Sequence, residues 1–247
     1  MKQFLHKPDE TVLAERLAAD RQKFEALPGD APGRKAAYYD DASRLAFSLA
    51  GLAYAFDQPA AEVKAFAVGA TRYAMRAAGC DEAMGPATFE RYLALTIWTY
   101  DNNFRGRLAG YDRNQFTNPD APPVDDVVYN SVEAMAALAR KRPETAAEYA
   151  ASGLKRITRG LVSTPVVNAV APLLRIAESM GKGDLSGLRG AVSERSTQYL
   201  RAASADSARN NPELLIDVVG LALVRLGAAD YGLSVDPKSL FIPLTLF

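Results

Sequence analysis

One histidine and one cysteine are all that 247 residues hold of the two side chains most used in nucleophilic, acid–base and soft-metal chemistry. The histidine, His6, sits close to the start, in a terminus expected to fray. Ser-His-Asp, Cys-His and H-E-x-x-H arrangements therefore have no well-placed base or ligand. The cysteine, Cys80, excludes a disulfide within the chain and fits a reducing compartment, so the cytoplasm is expected. It follows Gly79 at a helix end, where packing is a simpler role than nucleophilic attack.

An excess of either charge is also missing. Lys plus Arg and Asp plus Glu are 29 each, so the overall balance points to neither nucleic acid nor an anionic membrane. The longest apolar stretches, LAFSLAGLAYAF (45–56) and LLIDVVGLALVRL (214–226), are too short to span a bilayer, and the second contains Asp217 and Arg225. The opening MKQFLHKPDE lacks the continuous apolar core of a secretory signal. Neither G-x-x-x-x-G-K-[ST] nor a strand-led G-x-G-x-x-G occurs, which removes the usual phosphate-cradling loops. Strand-like alternation bounded by hairpin turns does not occur either.

What remains is helical periodicity. Leu13, Leu17 and Phe24 mark the first helix after an Asp9 cap, and Leu45, Leu49, Leu52 and Phe56 mark the second. Further helices are expected over 60–78, over 85–100 with a proline in the first turn, from Asp125 or Asp126 onward, and from Pro143 to Thr158. Three more follow, one carrying an internal Pro172, one starting at Asp184, and one capped by Asn211 that is apolar almost all round and so should be central. The reading is an all-α fold of about nine helices, a multi-helix bundle of antiparallel pairs. Residues 1–247 form either a single domain or two helical halves, 1–100 and 124–247. The joint is the 101–126 segment, whose four Asn, three Pro and two Gly break the helical period. Connections longer than about fifteen residues are uncommon inside compact domains and are often functional.

Two motifs invite a metal. In YDNNFRGRLAGYD (100–112), Asp101, Asn103, Gly106 and Asp112 match offsets one, three, six and twelve of a calcium loop. Offset five, however, is the cation Arg105, and no exit helix is expected after Asp112. In YYDDASR (38–44), Asp40 and Asp41 are similar to the paired aspartates of magnesium-dependent isoprenoid enzymes, but Arg44 stands where a third aspartate belongs. No metal or cofactor is therefore expected.

The C-terminal run LLIDVVGLALVRLGAADYGLSVDPKSLFIPLTLF (214–247) resembles the end of the immunity-protein-49 family of bacterial polymorphic toxin systems. That resemblance implies an all-helical, non-catalytic, cytoplasmic protein whose partner is a cognate toxin effector delivered by a secretion system, of type VI for example. The toxin in such systems is often a nuclease, and a nuclease presents a basic active-site surface that an acidic patch would steer toward itself. The densest acidic group is Asp101, Asp112, Asp120, Asp125 and Asp126. The expected interface is therefore the 101–126 segment, with Asn103, Arg105, Tyr111 and Arg113 among its contacts, and Asp40 with Asp41 as second choice. Aromatic and Arg content suits such a surface, though the same aromatics could simply anchor a long loop to the core. A helical-repeat adaptor for an endogenous protein and a magnesium-dependent isoprenoid-type enzyme are the alternatives.

Overall fold

Asp9 starts the first helix as its sequence position suggests: the backbone is extended there and the carboxylate accepts the Val12 N–H. The computed structural model describes residues 1–28, 34–80, 82, 84–117 and 124–246. Among these residues it is all-helical, with ten α-helices, three short 3-10 turns and no strand. The helices are α1 (Glu10–Glu25), α2 (Ala36–Ala55), α3 (Ala60–Ala78), α4 (Pro86–Thr99) and α5 (Asn102–Ala109), then α6 (Asp126–Ala139), α7 (Pro143–Thr158), α8 (Thr164–Lys182), α9 (Leu185–Ala203) and α10 (Val218–Asp230).

The chain forms two compact units. The first is Met1–Glu82 with Leu200–Asp217 and Pro243–Phe247, and the second is Ala83–Tyr199 with Val218–Ile242. The division in the first part of the chain thus falls ahead of α4, and both α4 and the segment that follows it belong to the second unit.

In the first unit, α2 and α3 pair as a helical hairpin joined by residues 56–59. Ala46, Ala50, Ala67, Ala70 and Ala74 are buried, and small side chains let the two helix axes approach closely. The Ser43 hydroxyl crosses the seam and donates to the Ala70 carbonyl at 2.9 Å. His6 is not in a frayed end. The Lys2 N–H donates to the Ala55 carbonyl at 2.7 Å, Phe4 lies edge-on to Tyr54, and His6 packs edge-on to Phe4 with only 5% of its surface exposed. A few backbone bonds and two buried rings are enough to order a terminus that hydropathy alone leaves loose.

In the second unit, α6, α7 and α8 follow one another as hairpins, each packed on the next. The α7–α8 contact depends on glycine: a Cβ at Gly153 would lie 2.7 Å from a Leu174 methyl, and one at Gly181 would lie 2.5 Å from the Pro143 carbonyl oxygen. α10 packs on α4, α6 and α8 and is buried from Val218 to Val224, as its all-round apolar sequence requires. Its start differs from the sequence expectation. Asn211 caps only a 3-10 turn, Pro212–Leu214, and α10 begins after the buried Asp217, a residue type favoured at helix starts.

The largest departure is α5, a tenth helix inside the stretch expected to be irregular. Asn102, Asn103 and Gly106 are weak helix formers. Asp101 offsets them by accepting the Phe104 N–H at 2.9 Å, while Phe104 and Leu108, one turn apart, are buried as α5 packs on α4 and α6. Tertiary packing overrides local propensity here.

Candidate functional site

The segment after α4 is built from caps and anchors. Tyr100 ends α4 in the left-handed region, φ 63° and ψ 31°, and its ring is 52% exposed. Asp101 then opens α5. Asp112 opens a 3-10 turn, Arg113–Phe116, by accepting the Asn114 N–H at 2.8 Å, while the Gln115 side chain accepts the Asp112 N–H at 2.9 Å. Asp125 caps α6 through the Val127 N–H at 2.9 Å. Three of the five expected interface aspartates therefore satisfy orphan backbone donors at helix starts. Asp120 lies outside the described residues.

The fourth described aspartate, Asp126, is held between two cations. It pairs with Arg113, and Arg156 of α7 lies at 3.4 Å. Hydrogen bonding from Arg113 keeps the Asp126 carboxyl below the usual carboxylate range. Arg113 also covers the Tyr129 ring at 4.0 Å. Nearby on α6, burial pushes the Glu133 carboxyl up. One oxygen of each of Asp101, Asp112 and Asp125 accepts a backbone amide, and Asp126 is paired with guanidinium groups.

The aromatics divide between anchoring and exposure. Phe116 is 1% exposed, stacked 4.5 Å from Phe89 and tilted 6.1 Å from Tyr129, and Tyr111 stacks at 6.0 Å on the same Phe89. Tyr111 is half-buried, so it serves mainly to fasten the turn to α4. Outward from this frame stand Tyr100, Asn103, Arg107 and Arg113.

Arg105, which spoiled the calcium pattern, has its own partner. Its guanidinium lies 3.1 Å from the Asp230 carboxylate at the end of α10, an ion pair without the alignment of a hydrogen bond. Lys141, beyond the end of α6, reaches the other Asp230 oxygen at 3.3 Å. With Asp101 capping a helix and Arg105 paired to Asp230, the calcium-like run is an α-helix rather than an ion-binding loop. Among the described residues no group of three or more His, Cys, Asp or Glu side chains is placed to hold a metal ion.

The second-choice pair, Asp40 and Asp41, lies in α2, half-buried and exposed respectively. Their charges add to the hold on Arg44, whose main partner is Glu213 at 3.0 Å. The structure places this pair in the first unit and the 101–126 group in the second. Cys80 is half-buried, and burial raises its thiol above the ordinary value. No helix among the described residues is long and apolar enough to cross a membrane. Comparison with protein-family models, with curated proteins and with solved structures finds no match to this chain.

Tyr100 and Lys141 are the features that sequence reasoning underweighted. Both are non-glycine residues at positive φ, 63° and 58°, just past helix ends. The available signal was the absence of Gly after LALTIWT and after MAALAR, where a left-handed cap is common.

Proposed function

We propose that the chain is a non-catalytic immunity protein that acts in the cytoplasm by binding a cognate bacterial toxin effector and occluding its active site. One observation carries the reading furthest: residues 100–117, expected to be part of a loose connection, form a preformed surface. Caps at Asp101, Asp112 and Asp125 and the buried anchors Phe104 and Phe116 order it, while Tyr100, Asn103, Arg107 and Arg113 remain in solvent. An ordered surface loses little entropy on binding, which favours tight association. The resemblance of residues 214–247 to a toxin-neutralising family supports the same reading.

The test is to read the genes that flank this one and to co-express the chain with any toxin-domain protein encoded there; the absence of any such gene counts against the reading. A stable complex and restored growth support immunity. Full toxicity with no complex overturns it. The consecutive hairpins of α6, α7 and α8 favour a second reading, a helical adaptor for an endogenous protein. That reading requires an endogenous partner and predicts no protection from the toxin.

A further inference from the structure

The end of the second unit where α4, α6 and α10 terminate carries two cations on one carboxylate. Arg105 and Lys141 share Asp230, and Arg140 and Arg142, both exposed, flank Lys141 in the chain. Glu144 acts on Tyr231 together with Asp230 and Arg105, and Asp101 caps α5 beside Tyr100, so four cations, Arg105, Arg140, Lys141 and Arg142, stand against three carboxylates. Positive charge is therefore in excess around Asp230. Five residues earlier on α10, Arg225 lies 4.7 Å from the Tyr100 ring and donates to the Trp98 carbonyl. Tyr100 directly precedes Asp101, the cap of α5, and Arg105, in the first turn of α5, reaches the same Asp230 carboxylate as Lys141, which ties the three positions to one end of the second unit.

One detail distinguishes this patch from ordinary helix-end chemistry. The backbone dipole favours a cation at Arg140, which ends α6, but not at Arg142, which stands at the start of α7. The dipole does not account for an aromatic side chain that is half in solvent at a backbone position better suited to glycine. Exposed Tyr and Arg in a held geometry are the composition of binding hot spots.

We propose that this patch docks an acidic segment of a protein partner, with Tyr100 as the apolar anchor and the exposed Arg140, Lys141 and Arg142 as the cations that receive its carboxylates. The proposal rests on the reading of the chain as a protein-binding module, and it reverses the charge expected of the partner. A nucleic acid is disfavoured because Asp230 and Glu144 interrupt the patch and would repel a continuous phosphate chain, whereas separate carboxylates can be seated between cations. The chain as a whole also carries no net positive charge.

The test uses the full chain and two probes at low salt, a short fluorescein-labelled peptide of alternating Glu and Leu and an oligothymidylate of similar length, followed by anisotropy. The expected result is peptide binding that weakens about tenfold in the double variant Lys141→Glu with Arg142→Glu and several-fold in Tyr100→Gly, with helical circular dichroism retained. Arg189→Glu, an exposed charge reversal on α9, is expected to leave binding unchanged. The proposal is overturned if the double variant binds the peptide as well as the parent, if Arg189→Glu weakens it equally, or if the oligothymidylate binds more tightly. The peptide measurement needs no toxin, so failure to find a toxin partner and failure of this surface are separate outcomes.

Discussion

Replacing Tyr100 with glycine separates a residue kept for the fold from one kept for a partner. In the left-handed region an L-residue carries a cost of about 1–2 kcal/mol that glycine does not. Against this gain, glycine in the unfolded chain has more conformational freedom to lose, about 0.5–1 kcal/mol. The contact between the ring and Arg225 at 4.7 Å is also lost, another ~0.5–1 kcal/mol at a half-exposed site. These terms nearly cancel, so Tyr100→Gly is expected to change stability by less than about 1 kcal/mol in either direction. Urea denaturation followed by helical circular dichroism reads this directly as a shift in midpoint at constant slope. A loss of more than about 2 kcal/mol would refute the reasoning, since it would make the ring a packing residue despite its exposure.

Phe116→Ala is expected to behave oppositely: removal of a ring buried against Phe89 and Tyr129 should cost about 3–5 kcal/mol in the same assay, and a cost under about 1 kcal/mol would mean that the turn is not docked. Asp101→Ala removes the α5 cap and should cost about 0.5–2 kcal/mol, with faster amide exchange at Phe104. Burial lowers the His6 pKa below its ordinary value of 6.5, so the folded state favours the neutral ring. Its contribution to stability is present above the unfolded pKa and is lost as pH falls through the lowered folded value. His6→Phe should therefore flatten the decline in urea midpoint between neutral pH and about pH 5, and an unchanged pH profile would contradict the buried placement.

Most of the helical frame was legible because burial imposes a 3.6-residue period. Leu49 and Leu52 in α2, Val132 and Met135 in α6, and the nearly continuous apolar face of α10 show it plainly. α5 was not legible, because its eight residues carry only two buried anchors with a clear spacing, Phe104 and Leu108, among Asn and Gly that locally favour turns. The start of α10 was misplaced for a related reason: Asn211-Pro212 is a strong local start signal, and it initiates only a 3-10 turn. At the candidate site, composition located the aspartates without revealing their work. A run of Asp residues reads as a charged surface until the chain shows that Asp101, Asp112 and Asp125 each precede a helix or turn and accept its amides. Cation placement depends on contacts distant in sequence, such as Arg105 with Asp230, which no local pattern encodes.

The central claim is that this protein neutralises a toxin by occupying it. The most direct measurement titrates the purified chain into a purified toxin-domain protein encoded by a neighbouring gene, following toxin activity and complex formation in one sample. The expected result is loss of activity that tracks complex formation to a stoichiometric end point, weakened by the Lys141→Glu, Arg142→Glu variant. Undiminished toxin activity at saturating protein would contradict the account.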